Sequence, residues 1–172
     1  MNFINIKSAE QIDMLANLAS EIWHEYWPII LSQEQIDYMV EKFQSPAVMQ
    51  SQIENDRYIY NILEDRDNLI GYFGICPKDD YLFLSKLYIK KDFRNFGCGR
   101  LAFNKIKQMS LELGKKKIQL TVNKNNINTI KAYEKWGFKT IDSVVTDIVY
   151  GFVMDDYIME YSLEENQTKT HN

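Results

Sequence analysis

The chain has 172 residues, 45% of them hydrophobic, a length that suits one well-packed domain and is short for two. Twenty basic against 24 acidic side chains give a net charge of −4, which opposes general adhesion to nucleic acid or to an anionic membrane. Cys76 and Cys98 are too few for a disulfide framework, and no Cys/His cluster has metal spacing, so no metal is expected. The amino terminus carries neither a basic start nor a long apolar run, and no later segment reads as membrane-spanning; a cytoplasmic location is expected. Residues 3–7 read as a first strand, and Ser8 is placed to cap a helix carried by Ile12, Leu15, Leu18, Ala19 and Ile22, which ends at Trp27-Pro28. Ser32 is placed to cap a second helix through Phe43, and Ser45-Pro46 opens a third toward Asn55. Residues 57–63 and 69–75 flank a turn and form a hairpin, and a strand at 81–89 completes a meander. A helix with Ala102, Ile106, Met109 and Leu113 on one face ends at Gly114. A strand at 117–122, a helix from Asn126 and two β-like runs at 138–145 and 150–162 follow. Residues 164–172 are polar and expected to be disordered, leaving a single domain at 1–163.

Between the strand ending at Ile89 and the helix of Ala102 lies Arg94-Asn95-Phe96-Gly97-Cys98-Gly99-Arg100. A helix start presents unpaired N–H groups and the positive end of a dipole, so it stabilises a phosphate without a dedicated side chain. Gly97 and Gly99 are expected to supply positive φ and close backbone approach, and Arg94 and Arg100 to add charge. A P-loop is excluded, because no Gly-x-x-x-x-Gly-Lys-Ser/Thr string exists. Gly97-x-Gly99-x-x-Ala102 formally satisfies the dinucleotide fingerprint, yet the glycines stand too far from their strand and the next strand leads to Asn123 where an acid is needed.

Arg-x-x-Gly-x-Gly resembles the pyrophosphate loop of the GNAT superfamily of N-acetyltransferases. Asn126, with Tyr133 seven residues later and then Gly137-Phe138, is similar to that superfamily's second signature. Seven residues make two helical turns, which puts Asn126 and Tyr133 on one side of a helix about 10 Å apart. The resemblance implies an α+β, three-layer GNAT fold: a mixed, mostly antiparallel sheet of six to seven strands flanked by helices. It implies acetyl-CoA as cosubstrate, bound by the backbone of Leu87, Tyr88 and Ile89, by residues Arg94, Asn95, Phe96, Gly97, Cys98, Gly99 and Arg100, and by Asn126 and Tyr133.

The reaction implied is attack of a neutral primary amine on the thioester carbonyl in a ternary complex, through a tetrahedral oxyanion, with expulsion of a thiolate. The N–H of Leu87 or Tyr88 is the candidate oxyanion donor. Tyr133, a phenol of reference pKa about 10, is suited to protonate the thiolate. Glu54, Asp80 and His24 are the candidate bases, His24 being the weakest against a structural role; His171 belongs to the tail. Cys98 at a helix start beside arginines makes a covalent intermediate conceivable, but it occupies a position where a diphosphate would lie across the backbone.

Trp23, His24, Tyr26 and Trp27 fall where the resemblance places a lid over the acceptor. An aromatic wall beside Glu21 and Glu25 suits a cation, while Trp23 and Trp27 serve equally as core residues. Lys86-Leu-Tyr-Ile89 and Asp155-Asp-Tyr-Ile-Met159 look similar to PaiA-type polyamine acetyltransferases, which points to spermidine or spermine. Acetylation of a protein or peptide amine and a non-catalytic acyl-CoA sensor stay open as alternatives. The last β-run is an edge on which a second copy could pair, giving a homodimer.

Overall fold

The structure, a computed structural model, describes residues 1–26, 28, 32–147 and 153–164. Residues 1–76 with 86–103 form one compact unit, and residues 77–85 with 104–172 form a second. The seven strands stand in the order β1-β2-β3-β4-β5-β7-β6. They are β1 (Asn2–Asn5), β2 (Ile59–Asp65), β3 (Asn68–Pro77), β4 (Leu82–Ile89), β5 (Lys117–Asn123), β6 (Lys139–Asp147) and β7 (Val153–Ser162). β1 with β2 and β2 with β3 are antiparallel, and so are β5 with β7 and β6 with β7, whereas β4 and β5 run parallel. The sheet is thus mixed and mostly antiparallel, as expected for an α+β chain of this pattern.

In the first unit, helices α1 (Ala9–Tyr26), α2 (Gln33–Gln44) and α3 (Pro46–Asn55) separate β1 from β2. Ser8 and Gln11 cap α1 reciprocally: Ser8 Oγ accepts the Gln11 N–H at 3.2 Å, and Gln11 Oε1 accepts the N–H groups of Ser8 and Lys7 at 3.1 and 2.8 Å. Ser32 caps α2 by accepting the Gln35 N–H at 3.2 Å, and Pro46 opens α3 where a missing N–H costs nothing. The stripe of α1 is buried as its spacing dictates, with Ile12, Leu15, Ala19 and Ile22 packed in one cluster with Tyr60, Ile62 and Tyr72. The β2–β3 hairpin closes through only two residues, Arg66 and Asp67, at φ of 48° and 65° between the paired Asp65 and Asn68. That is the mirror-image turn matched to strand twist, here built without glycine.

In the second unit, β5 leads through an Asn123–Asn125 turn into α5 (Ile127–Trp136), which stops at Gly137 in the left-handed region, φ 104°. Ile118, Leu120, Val122, Met159 and Tyr161 are buried on one face of β5 and β7, with Phe138 against Tyr161 at 5.5 Å between ring centroids. Helix α4 (Cys98–Glu112) belongs partly to each unit.

Three expectations need correction. β7, the last run, is internal, and the edge strand beside it is β6, exposed at every residue of its length. Glu164, expected to be disordered, is placed, its carboxylate 2.7 Å from Lys116 Nζ, and residues 165–172 lie outside the described residues. The first strand ends at Asn5 instead of Lys7, because the Lys7 N–H is consumed by the cap of α1. Among the described residues no helix is long and apolar enough to cross a membrane.

Candidate active site

The cradle is built within the first unit. β4 ends at Ile89, the Lys90 N–H donates to the Ile70 carbonyl at 2.8 Å, and a single 3-10 turn at Lys91–Phe93 leads to Arg94. Asn95 and Gly97 have φ of 66° and 82°, and α4 starts at Cys98, with the Gly97 carbonyl accepting the Leu101 N–H at 3.0 Å. The positive-φ pair is therefore Asn95 and Gly97, not Gly97 and Gly99, since Gly99 is already inside the helix. A Cβ at Gly97 would meet nothing within 4 Å, so glycine is needed there for its φ and not for lack of protein space. Phe96 is 79% exposed at the tip, and exposed Arg100 holds its guanidinium over the Phe103 ring at 5.9 Å. An exposed turn feeding a 15-residue helix suits a diphosphate.

Cys98 is buried, and burial, with Asp65 adding to it, pushes its thiol above the ordinary value. A thiol held protonated makes a poor nucleophile, which disfavours a covalent intermediate at this residue.

Arg94 is committed to its own chain. Its Nε donates to the Ile89 carbonyl at 2.8 Å, an Nη lies 3.3 Å from Glu25 Oε2, and its guanidinium sits over the Tyr26 ring at 4.8 Å. Glu21 is likewise engaged, 2.9 Å from Lys90 Nζ. The carboxylates expected to face a cationic acceptor are therefore met by the protein's own cations, and the ring of Tyr26 carries Arg94. Trp23 is a core residue, 5% exposed, its indole N–H donating to Tyr72 Oη at 3.1 Å while the Tyr72 hydroxyl donates to Gln44 Oε1 at 3.2 Å. Tyr88 stacks on Tyr72 at 5.6 Å and lies 5.6 Å from Trp23. His24 Nδ1 lies 2.8 Å from the Ser20 carbonyl oxygen and Nε2 2.7 Å from Asp37 Oδ1; the Asp37 bond, then the Ser20 bond, raise its pKa. A histidine held this way joins α1 to α2. Trp27 lies outside the described residues.

Gly71, which sequence reasoning passed over, permits the close approach of β3 to the end of β4. A Cβ there would overlap the Tyr88 carbonyl oxygen and come within 2.7 Å of Ile89 Cδ1. Lys86 was read only as part of a short string. It is 6% exposed and donates to Tyr60 Oη and, at 3.2 Å, to Gln52 Oε1, with the Tyr60 ring 4.9 Å away; desolvation brings its pKa down to about 7.

In the second unit, Asn126 stands at the start of α5, 9% exposed, and its side chain makes no capping bond. Tyr133 is buried two turns on, edge-on to Trp136 at 5.5 Å and tilted to Phe138 at 5.3 Å. The Gly-Phe pair after this helix is thus explained: Gly137 turns the chain and Phe138 returns onto Tyr133. Asp156, also missed, lies on β7 opposite Asn123 and Val144, 5% exposed, with no partner for Oδ1 among the described residues. Burial, with Asp155 adding to it and Lys124 opposing it, pushes its carboxyl up to about 6. Among the described residues no group of three or more His, Cys, Asp or Glu is placed to hold a metal.

The strand, positive-φ turn and helix start lie in the first unit and the Asn126 helix in the second, in the chain order of the two strings that resemble the GNAT superfamily. Residues 12–138 match the acetyltransferase (GNAT) family, and the chain belongs to it. It is an acetyl-CoA-dependent N-acetyltransferase. In fold the chain is similar to the PaiA N-acetyltransferase of Thermoplasma acidophilum in complex with coenzyme A, TM-score 0.76 at 23% identity, covering 94% of this chain and 99% of that one. It is also similar to mutant forms of the spermidine/spermine N-acetyltransferase SpeG of Vibrio cholerae, TM-score 0.70 at 18% identity, covering 99% and 98%. A GNAT acetyltransferase of Elizabethkingia anophelis with acetyl-CoA bound matches with a TM-score of 0.57 at 14% identity, over 69% of this chain and 84% of that one.

Proposed function

We propose that this enzyme moves the acetyl group of acetyl-CoA onto a primary amine by direct attack in a ternary complex, with a polyamine such as spermidine or spermine as acceptor. The observation that carries the reading is the turn of Asn95 and Gly97, both at positive φ, leading into the N-terminus of α4. Cys98, buried and held protonated, favours direct attack over a covalent route. In this reading residues 1–163 act as one domain, because the family match runs through both compact units.

The residues then divide the work. In the first unit the backbone of residues 94–100 suits the diphosphate and the N–H groups of Leu87 to Ile89 suit the pantetheine arm; in the second unit Asn126 is assigned a pantetheine contact. An N–H of Leu87 or Tyr88 in the first unit is assigned to the developing oxyanion, and Tyr133 in the second is assigned the proton for the departing sulfur. The polyamine reading draws on the likeness to SpeG, a protein named for spermidine and spermine, and on an overall charge of −4 that suits a polycation.

Thiol release from acetyl-CoA across polyamines, aminoglycosides, amino acids and short peptides tests acceptor and reaction together. Release with spermidine or spermine is expected, and Tyr133→Phe is expected to lower kcat about 10²-fold while coenzyme A affinity holds. Turnover on peptides alone would replace the polyamine reading with a protein or peptide acceptor. Cofactor binding without turnover on any amine would favour a sensor.

A further inference from the structure

Two carboxylates one helical turn apart near the end of α1, Glu21 and Glu25, reach the segment that enters the cradle. A negative charge beside a site for a polyanion is unfavourable by itself, so its presence calls for a compensating role. We propose that Glu25 is a positioning residue for the acyl-CoA cradle, locking Arg94 as an internal strut and leaving the phosphates to backbone N–H groups and to Arg100.

Glu25 Oε2 accepts the Lys91 N–H at 2.8 Å and lies 3.3 Å from an Nη of Arg94. Arg94 Nε donates back to the Ile89 carbonyl at 2.8 Å, and the guanidinium plane is covered on one side by Tyr26. One carboxylate therefore fixes both the 3-10 turn after β4 and the arginine that opens the motif. The planar fork of arginine suits this bridging, since it presents donors to a carbonyl and a carboxylate at once. The pair is only about a third exposed, 29% at Arg94 and 34% at Glu25, so solvent screens it incompletely. Lys90, bound to Glu21 at 2.9 Å, ties the preceding residue to the same helix. The two positive-φ residues, Asn95 and Gly97, then start from a fixed point. His24, the neighbour of Glu25, reaches Asp37 on α2. Consecutive residues of α1 thus hold the cradle and the next helix.

The inference rests on acetyl-CoA being the donor, and its sign separates it from the simpler alternative. If Arg94 were a phosphate ligand held back by Glu25, removing the carboxylate would free a cation, delete a negative charge and tighten binding. A strut predicts the reverse. Calorimetric titration of the full chain with coenzyme A, for the parent, Glu25→Gln, Arg94→Gln and the double variant, tests this. Glu25→Gln is expected to weaken binding about tenfold, Arg94→Gln to a similar degree, and the double variant no further. The KM for acetyl-CoA should rise in parallel, the loss falling on KM and not on kcat. Glu25→Asp keeps the charge but shortens the reach, and is expected to weaken binding as well; thermal melts of each variant check that the fold is retained. Affinity unchanged or tightened by Glu25→Gln, or additive losses in the double variant, would overturn the strut. A parent chain that fails to bind coenzyme A would overturn the cofactor assignment along with it.

Discussion

Asp156 sits between two strands with one oxygen unpaired, and the consequence is a pH dependence with a definite sign. Its carboxyl, pushed up to about 6, binds a proton more tightly in the folded chain than in the unfolded one, where an aspartate titrates near ~3.9. Stability therefore falls as pH rises through that window, because the folded state must then hold a buried charge. Asp156→Asn is expected to raise stability at pH 7 by about 1 kcal/mol after solvent screening is allowed for, and the gain should vanish toward pH 4. Urea melts at the two pH values read this; a gain that is the same at both would sink the explanation. His24 shows the opposite case, with a pKa raised by Asp37, so its pair is present at low pH and lost as pH climbs through the raised value. Asp156 does not announce itself in the sequence. Asp155 and Asp156 look alike there, and only strand alternation sends one to Lys124 and the other inward.

At the scale of elements, β4 and its approach matter most. Gly71 on β3 faces the carbonyl of Tyr88, and any side chain there must push β4 away at the point where the cofactor arm is proposed to pair. Gly71→Ala should cost about 1–3 kcal/mol by overpacking and raise the KM for acetyl-CoA. A stable variant with parental KM would show that β4 yields without consequence. The helices were legible because their signals are local: Ser8, Ser32 and Pro46 each mark a helix start within a few residues. The edge was not. Whether β6 or β7 lies outermost depends on pairing with β5, a partner more than thirty residues distant from β7, and no local spacing encodes that. The glycine turn was legible as a turn, yet the division of φ between Asn95 and Gly99 was not, because either residue type tolerates the left-handed region.

For the molecule as a whole, one cosubstrate should stabilise the chain by mass action. Coenzyme A at about a hundred times its Kd is expected to add about 2.7 kcal/mol to folding stability, and a melting temperature that does not respond would contradict the donor assignment. The family was legible from two strings, residues 94–100 and 126–138, since each states a backbone requirement in order and at fixed spacing. The acceptor was less so: Glu21, Glu25 and Tyr26 suited a cation on paper, and the fold supplies Lys90 and Arg94 to fill that role. An enzyme that carries a reactive acyl donor also lives among its own amines, and burial and protonation each restrain an amine as a nucleophile. Burial brings the pKa of Lys86 down to about 7, toward the neutral amine, yet the side chain is 6% exposed and hydrogen-bonded to Tyr60 and Gln52. Surface lysines such as Lys116 and Lys124, their pKa values raised by carboxylates, are guarded by their protons instead. Access restrains the one amine, and charge the others.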